Sequence, residues 1–476
     1  MDDEVKTAYS YCVTLKRIEV SEQQLTHLKS LILGSVSIVE SVLDQHGRDE
    51  SAYPPMRPSA VVMPQNTEEV SKILKYCNEE RIPVTAFGAG TSLEGHVLPL
   101  AGGISLDMTD MNRIIEIRPD DLLVKVEAGV HRIFLSEKLA NFGLFFSVDP
   151  GADATLGGMT ATGAAGTTTV RYGSMRDNVL GLTAVLADGT IIHVGRETRK
   201  LSAGYDLTRL IVGSEGTIAV ITEITLRVFG IPEKMAAATV VFPTLRDGVQ
   251  AATAVVRMGI AIARCEFLDA MSIRHVNKYA SLKMKEMPTL FFEFHGSAQG
   301  VEEDANSVKD IIAQFNGTDF QWTTNESARR RLWKARHDAY WAFIQAHPGK
   351  RGVSTDMAVP ISKLADAITV CEDILLAHQF PFSMLGHVAD GNFHCFIVTD
   401  PKIPEELEEI IEISHQMVSA IIAMGGTCTG EHGVGFGKID ALEEETGLAA
   451  VQVMRSIKKT LDPNYILNPG KIFKSE

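Results

Sequence analysis

Phe87-Gly88-Ala89-Gly90-Thr91-Ser92-Leu93-Glu94-Gly95 closes the β-rich run Val84–Phe87 with a loop nearly bare of side chains. Missing Cβ atoms let backbone N–H groups approach a phosphate. The spacing is not the dinucleotide fingerprint G-x-G-x-x-G, because Leu93 stands where the third glycine belongs and no helix-favouring run follows. A second segment of the same character runs from Asp149-Pro150-Gly151 through Thr155-Leu156-Gly157-Gly158 and Ala161-Thr162-Gly163 to Gly166-Thr167-Thr168-Thr169. Either alone reads first as a tight turn; together they favour a cradle for a pyrophosphate. Gly433-Val434-Gly435-Phe436-Gly437-Lys438 fails as a P-loop, since His432 and Ile439 occupy the places of its first Gly and its Ser or Thr. ATP and GTP are set aside.

Working outward, short β-rich runs at 103–106, 123–126, 182–186 and 219–221 alternate with Gly, Asp and Thr turns as far as Gly230. Upstream, Ser21 with Gln24 makes a capping box for a helix through Leu25, Leu28, Ile32, Val39 and Leu43, and Asn66 caps another through Val70, Ile73, Leu74 and Cys77. From Ile231 longer helical stretches (247–258, 328–344, 361–378, 404–424) enclose strands such as 290–294. The breakers between Leu461-Asp462-Pro463 and Asn468-Pro469-Gly470-Lys471 indicate a tail docked on the core. The expected organisation is an N-terminal helical segment (1–52), an α+β domain (53–230), a second α+β domain (231–440) and a C-terminal segment (441–476) returning to the first.

Composition bounds the function. The 476 residues are 45% hydrophobic and contain no apolar run long enough to cross a membrane. A net charge of −15 argues against nucleic acid as a partner but leaves small anionic substrates open. Cys12, Cys77, Cys265, Cys371, Cys395 and Cys428 are scattered without a C-x-x-C pair, which suits a reducing compartment. The start, Met1-Asp2-Asp3-Glu4, has neither a secretory nor an Arg-rich transit pattern, so a cytoplasmic location is expected, with peripheral membrane contact, or a mitochondrial location after loss of a presequence, as alternatives.

Gly386-His387-Val388-Ala389-Asp390-Gly391-Asn392-Phe393-His394 lies between β-formers and carries Asp390-Gly391, a two-residue hairpin signal. With those two as the turn, Ala389 pairs with Asn392, Val388 with Phe393 and His387 with His394. Both imidazoles then project from one face with Cβ atoms about 4.5–5.5 Å apart, a geometry suited to one ion. Glu431, in Thr427-Cys428-Thr429-Gly430-Glu431-His432-Gly433, offers a third ligand between flexible glycines. Two His and one Glu leave coordination positions open, as a catalytic metal requires.

The glycine-rich segments, with Arg171-Tyr172-Gly173-Ser174-Met175-Arg176-Asp177-Asn178 and Gly213-Ser214-Glu215-Gly216-Thr217 behind them, resemble the FAD domain of the vanillyl-alcohol oxidase/p-cresol methylhydroxylase (PCMH) superfamily over about residues 58–226. With the His and Glu segments and Asn468-Pro469-Gly470-Lys471, the chain resembles the FAD-linked D-2-hydroxy-acid dehydrogenase and glycolate oxidase family over about residues 55–473. The resemblance implies an α+β fold: a two-lobed PCMH-type FAD-binding domain, an α+β substrate (cap) domain, and a C-terminal tail returning to the FAD domain. It implies that Gly88, Ala89, Gly90, Thr91 and Ser92 lie along the pyrophosphate, and Asp149, Pro150, Thr155, Gly158, Ala161, Thr162, Gly166, Ile218 and Asn468 along the rest of FAD. Some members tether the flavin through a His just after the first loop's glycines; Thr91 stands there, so FAD is expected to be non-covalent. By the same resemblance His387, His394 and Glu431 hold a divalent ion, zinc or manganese, and His432 is the general base.

Oxidising a 2-hydroxy acid removes a hydroxyl proton and a Cα hydride, the second going to flavin N5. Arg336 stands where the family places a substrate-carboxylate arginine, and Tyr340 on the same run is assigned to the substrate with it. The neighbouring Arg329, Arg330, Arg331 and Lys334 read as a solvated helix face. Cys395, Phe396 and Ile397 follow His394, and Ser354 stands where a dicarboxylate-using relative would carry Lys, so a short monocarboxylate is favoured. D-lactate is the first expectation, ahead of glycolate and longer D-2-hydroxy acids, with a glycolate oxidase-type subunit of a larger oxidase or a D-2-hydroxyglutarate dehydrogenase-like enzyme as alternatives. From another class, the same ligands would serve a metal-dependent hydrolase. Cytochrome c, quinone and an electron-transfer flavoprotein stay open as the electron acceptor, as does homodimerisation.

Overall fold

Asn66 accepts a hydrogen bond from the Glu69 N–H, and the helix it caps, Thr67–Glu80, buries Val70, Ile73, Leu74 and Cys77. Such a helix is the crossover that parallel strands need. It lies between Ala60–Met63 and Val84–Phe87, both of which pair in parallel with Ile104–Asp107. The computed structural model describes residues 15–474; Cys12 and the acidic start lie outside them. The chain forms two units, one of residues up to Ala164, Ser174–Ile231 and Glu431 onward, the other of Ala165–Gly173 and Pro232–Gly430.

In the first unit, a four-stranded sheet has the order Ser35–Ser37, Ala60–Met63, Ile104–Asp107, Val84–Phe87. A five-stranded antiparallel sheet has the order Ile114–Arg118, Leu123–Glu127, Val220–Arg227, Val179–Val185, Ile191–Gly195. Each sheet has its own apolar core, so this unit is two-lobed. The helix expected through Leu43 ends earlier. Its capping box opens Glu22–Leu31, but Ser35–Ser37 then pairs with residues 61–63, and a second helix, Glu40–His46, follows. Sheet pairing has outweighed helical spacing there.

The tail extends the same unit. After helix Ile439–Leu461, Val84 N–H donates to Ile466 O at 2.7 Å and Asn468 N–H to Val84 O at 2.8 Å. Lys458 Nζ, buried, donates to Thr217 O, Leu467 O and Asp462. Asp462 accepts in turn from the N–H groups of Ile466 and Leu467. Residues 431–440, read from sequence as part of the second domain, belong to the first unit instead, where Phe436 packs with Leu98 and Leu100.

The second unit is built on one antiparallel sheet in the order Thr318–Thr323, Lys234–Val241, Thr289–Gly296, Ile262–Leu268, Phe382–His387, Asn392–Thr399, Arg351–Ser354, with Met357–Ala358 also pairing to Asn392–Thr399. Alternate residues divide its faces. Leu268, Phe291, Leu385, Phe396 and Val398 form one cluster with Trp333, Ala339, Ala342 and Phe343, so helices Glu326–His337 and Ala339–Ala346 cover that face. The run 328–344 is therefore two helices, broken at Asp338, which takes the ammonium of Lys334 at 2.6 Å. The stretch from Ile361 opens as a 3-10 turn, Ile361–Lys363, before helix Leu364–Leu376.

The hairpin differs from expectation. His387 pairs with Asn392, Gly386 with Phe393 and Leu385 with His394, so the loop has four residues rather than two. Asp390 N–H closes a turn on His387 O at 2.9 Å, and Gly391 follows at φ 78°. Tertiary contact selects this turn: a Cβ on Gly391 would lie 2.1 Å from Val359 O. The register has moved by two residues, and an even shift leaves every side chain on its expected face.

Candidate active site

In the first unit the two glycine-rich segments meet. Thr155 caps helix Leu156–Thr162, accepting from Gly158 N–H, and a Cβ on Gly88 would stand 2.2 Å from Thr155 Oγ1. Only a residue without a side chain allows that approach, so Gly88 and Thr155 form one backbone-lined cradle. Glu215 N–H donates to Ala161 O and Gly213 N–H to Thr160 O, which brings the 213–217 turn onto the same helix. Asn468 Nδ2 donates to His96 O at 3.1 Å and Glu215 O at 2.7 Å. Asp149 lies 3.4 Å from Arg132, and Ile218 is buried in the core of this lobe. Gly166 belongs to the second unit, in the Ala165–Gly173 segment. The bare cradle, with Thr91 and Ser92 after its glycines, fits the phosphates of a dinucleotide cofactor.

His432 also lies in the first unit. The turn that follows it is fixed by Glu215, which accepts from Val434 N–H at 2.7 Å and Gly435 N–H at 2.8 Å and sits 3.2 Å from His96 Nε2. Burial would raise the Glu215 pKa, but His96 and these two amides outweigh it and hold the carboxyl low. Glu94 Oε1 lies 3.8 Å from His432 Nδ1 and 2.9 Å from Lys438 Nζ. Neither acid was singled out from sequence, although Glu94 and Glu215 both lie within the glycine-rich stretches quoted above.

On the covered face of the second unit, the rings of His387 and His394 stand 5.4 Å apart at 85°. His394 Nδ1 is 3.1 Å from Thr355 O, a carbonyl that can only accept, so Nδ1 carries the proton. His387 Nδ1 is 2.6 Å from Glu266 Oε1. Burial would raise the Glu266 pKa, but the charges and hydrogen bonds of His387 and Arg336 outweigh it, and the carboxylate is ionised. In each ring Nδ1 is engaged by an oxygen acceptor, the arrangement that second-shell acceptors impose on histidines that bind a metal through Nε2. The donor set of this pair fits a divalent ion.

Arg336 is buried on the same face, where its Nε and Nη2 donate to Glu266 Oε2 at 2.9 and 2.7 Å. The sequence reading missed Glu266. Its signal was the alternation Arg264-Cys265-Glu266, charged residues every second position in an otherwise apolar strand. Tyr340 packs edge-on to Phe396 at 5.0 Å, and Phe396 stacks on His394 at 6.5 Å, so all three share one aromatic layer. Ser354 lies on the strand paired to Phe396.

Arg329 departs from the solvated reading. Arg329, Trp333 and Arg336 form an inward stripe at helical spacing, while Arg330, Arg331 and Lys334 are exposed. Glu293 receives His295 Nε2 at 2.8 Å and Arg329 Nη1 at 3.3 Å, and Arg264 lies 3.5 Å away. Burial is outweighed by these partners, and the Glu293 pKa falls from 4.5 to about 2. A depressed carboxyl stabilises the fold above its unfolded pKa, and that contribution, about 3 kcal/mol, disappears as pH falls from 4.5 towards 2. Glu293→Gln is therefore expected to be less stable than wild type at neutral pH and to converge with it in acid. Parallel stability curves over this range would contradict the assignment.

Residues 58–195 match the family described as FAD binding domain, and residues 231–472 the family described as FAD linked oxidases, C-terminal domain. Over its fold the chain is similar to p-cresol methylhydroxylase with substrate bound, with a TM-score of 0.80 at 17% identity, covering 96% of this chain and 98% of that one. It is 46% identical over 442 residues to the probable mitochondrial D-lactate dehydrogenase of Danio rerio, covering 92% of this chain and 89% of that protein. To the mitochondrial D-lactate dehydrogenase (cytochrome) of Arabidopsis thaliana it is 42% identical over 456 residues, covering 95% and 80%. Glycolate oxidase subunit GlcD of Bacillus subtilis is 33% identical over 423 residues, covering 88% and 90%. The architecture is thus that of the PCMH-type flavoproteins. The chain belongs to the FAD-linked oxidase family, in the group of these D-lactate dehydrogenases, and is an FAD-dependent oxidoreductase. This removes the hydrolase alternative.

Proposed function

We propose that the chain oxidises D-lactate to pyruvate, with His387, His394 and Glu431 holding a divalent ion, zinc or manganese, and His432 as general base. One observation carries the metal reading: two buried imidazoles 5.4 Å apart, each with Nδ1 engaged, on the face that bears Arg336. Glu431 follows Thr429 closely in the chain, and the Thr429 hydroxyl donates to Asp356 at 2.7 Å. Arg336 has five N–H donors, of which its contact with Glu266 uses two, so the guanidinium retains donors for a substrate carboxylate. Tyr340 and Phe396 supply an apolar wall beside it. Phe396, an apolar side chain, stacks on His394 on the same face, which favours a short monocarboxylate.

Bound FAD supplies the acceptor for the Cα hydride, and a bound divalent ion a Lewis acid that lowers the pKa of the 2-hydroxyl. His432 takes the proton from the hydroxyl oxygen, and Arg336 holds the substrate carboxylate. Gly88, Ala89, Gly90, Thr91 and Ser92 hold the pyrophosphate, while Asp149, Pro150, Thr155, Gly158, Ala161, Thr162, Gly166, Ile218 and Asn468 line the remainder of FAD. With Thr91 beside the glycines the flavin is non-covalent. Acid precipitation is expected to leave the yellow colour in the supernatant, and a yellow pellet would refute this.

The names of the relatives support a cytochrome as the electron acceptor and the mitochondrion as the compartment. The deciding experiment is anaerobic bleaching of the flavin by D-lactate, L-lactate, glycolate and D-2-hydroxyglutarate, with and without a chelator. Rapid bleaching by D-lactate alone, abolished by chelation and restored by Zn2+ or Mn2+, is expected. Faster bleaching by glycolate or D-2-hydroxyglutarate, or indifference to the chelator, would overturn the substrate or the metal reading respectively.

A further inference from the structure

We propose that Glu266 is the positioning residue that fixes the spacing between two substrate anchors, the metal-binding imidazole of His387 and the guanidinium of Arg336. This rests on the reading of those two groups given above. The geometry divides one carboxylate between them: Oε1 takes His387 Nδ1 at 2.6 Å, and Oε2 takes Arg336 Nε and Nη2 at 2.9 and 2.7 Å. Strand pairing places Glu266 there. Phe267 pairs with Gly386 and Leu268 with Leu385, so the next step of the antiparallel register sets Glu266 opposite His387. Arg336 descends from the helix that covers this face.

A fully buried carboxylate is retained in a strand only when its partners neutralise it and satisfy its lone pairs, and here both oxygens are used. The chemistry of a 2-hydroxy acid gives the arrangement its purpose. The hydroxyl and the carboxylate sit on adjacent carbons, so the groups that receive them must be held at one short, fixed separation. A planar carboxylate hydrogen-bonded to both at once is a rigid spacer. It fixes the tautomer and tilt of His387 and limits the guanidinium to one orientation.

Charge and length can be tested separately. Glu266→Gln turns an amide N–H towards one of two donors and removes the charge. Mn2+ affinity of the flavin-loaded protein, read without substrate from the EPR signal of the free ion, is expected to fall about 10–100-fold at unchanged flavin content. Glu266→Asp keeps the charge but withdraws the carboxylate by one methylene. It is expected to bind Mn2+ nearly as wild type does, yet to lose about 100-fold in kcat/KM for D-lactate, the usual consequence of a misplacement near 1 Å. A purely structural Glu266 would lower the thermal midpoint of both chelated variants and leave Mn2+ affinity intact.

Wild-type Mn2+ affinity in Glu266→Gln, or wild-type kinetics in Glu266→Asp, overturns the proposal while leaving the centre's assignment standing. Wild-type protein that binds no Mn2+ and is reduced by D-lactate in chelator overturns the assignment of the centre, and the proposal with it. If Glu266→Gln does not fold, the aspartate variant alone decides, through its ratio of metal affinity to kcat/KM.

Discussion

Replacing His432 by alanine or glutamine is expected to slow reduction of the bound flavin by D-lactate about 10²–10⁴-fold, the range in which a positioned general base contributes. The flavin should remain bound, because the cradle of Gly88 and Thr155 does not involve this side chain. The backbone should also hold, since the turn after His432 is fixed by Glu215 through the amides of Val434 and Gly435. Metal content should be retained, Glu431 being untouched. The measurement is single-turnover flavin reduction in a stopped-flow instrument, with flavin and metal quantified on the same sample. Near-normal reduction would remove His432 from the reaction. Loss of flavin would instead show that the substitution had disturbed the first unit.

Removing the Lys458 ammonium is expected to produce the largest loss of stability. Lys458→Met would leave the Asp462 carboxylate buried without its cation and two carbonyls, Thr217 O and Leu467 O, without a donor. Breaking one side of such a buried pair costs about 3–5 kcal/mol. The double variant Lys458→Met with Asp462→Leu should recover only part of this, because Asp462 also accepts from Ile466 N–H at 3.0 Å and Leu467 N–H at 2.8 Å. Urea unfolding of the two variants beside wild type provides the comparison. A single variant within about 1 kcal/mol of wild type would mean that water replaces the ammonium without cost.

What the sequence disclosed follows from how local each signal is. The strand Val84–Phe87 and its bare loop were legible because the missing side chains are themselves the signal: Thr155 Oγ1 occupies the space where a Cβ of Gly88 would be. The shared face of His387 and His394 was legible because strand parity survives an even shift of register, whereas the register itself was not, since it depends on Val359, which is remote from the turn in sequence. Residues 431–440 carry no local mark of the unit they join, because what recruits them is Glu215 and the apolar pair Leu98 and Leu100. Glu266 was hidden for a related reason. A single acid in a strand reads as a solvated position until Arg336 and His387 arrive from elsewhere in the chain to bury it.

The pairing of Leu467 with Val84 also sets an order of maturation during synthesis. At about 5–20 residues per second, roughly 20–80 s separate the translation of Val84 from that of Leu467. The second unit, Ala165–Gly173 with Pro232–Gly430, is fully translated before Lys458, Asp462 and Asn468 exist. The unit begun first on the ribosome is therefore finished after the other, and Asn468, which joins His96 O to Glu215 O, is added only once the second unit has been translated. A chain released before Lys458, Asp462 and Asn468 are translated carries the second unit, with its histidine pair, entire, and the strand Val84–Phe87 of the first without its partners in the tail.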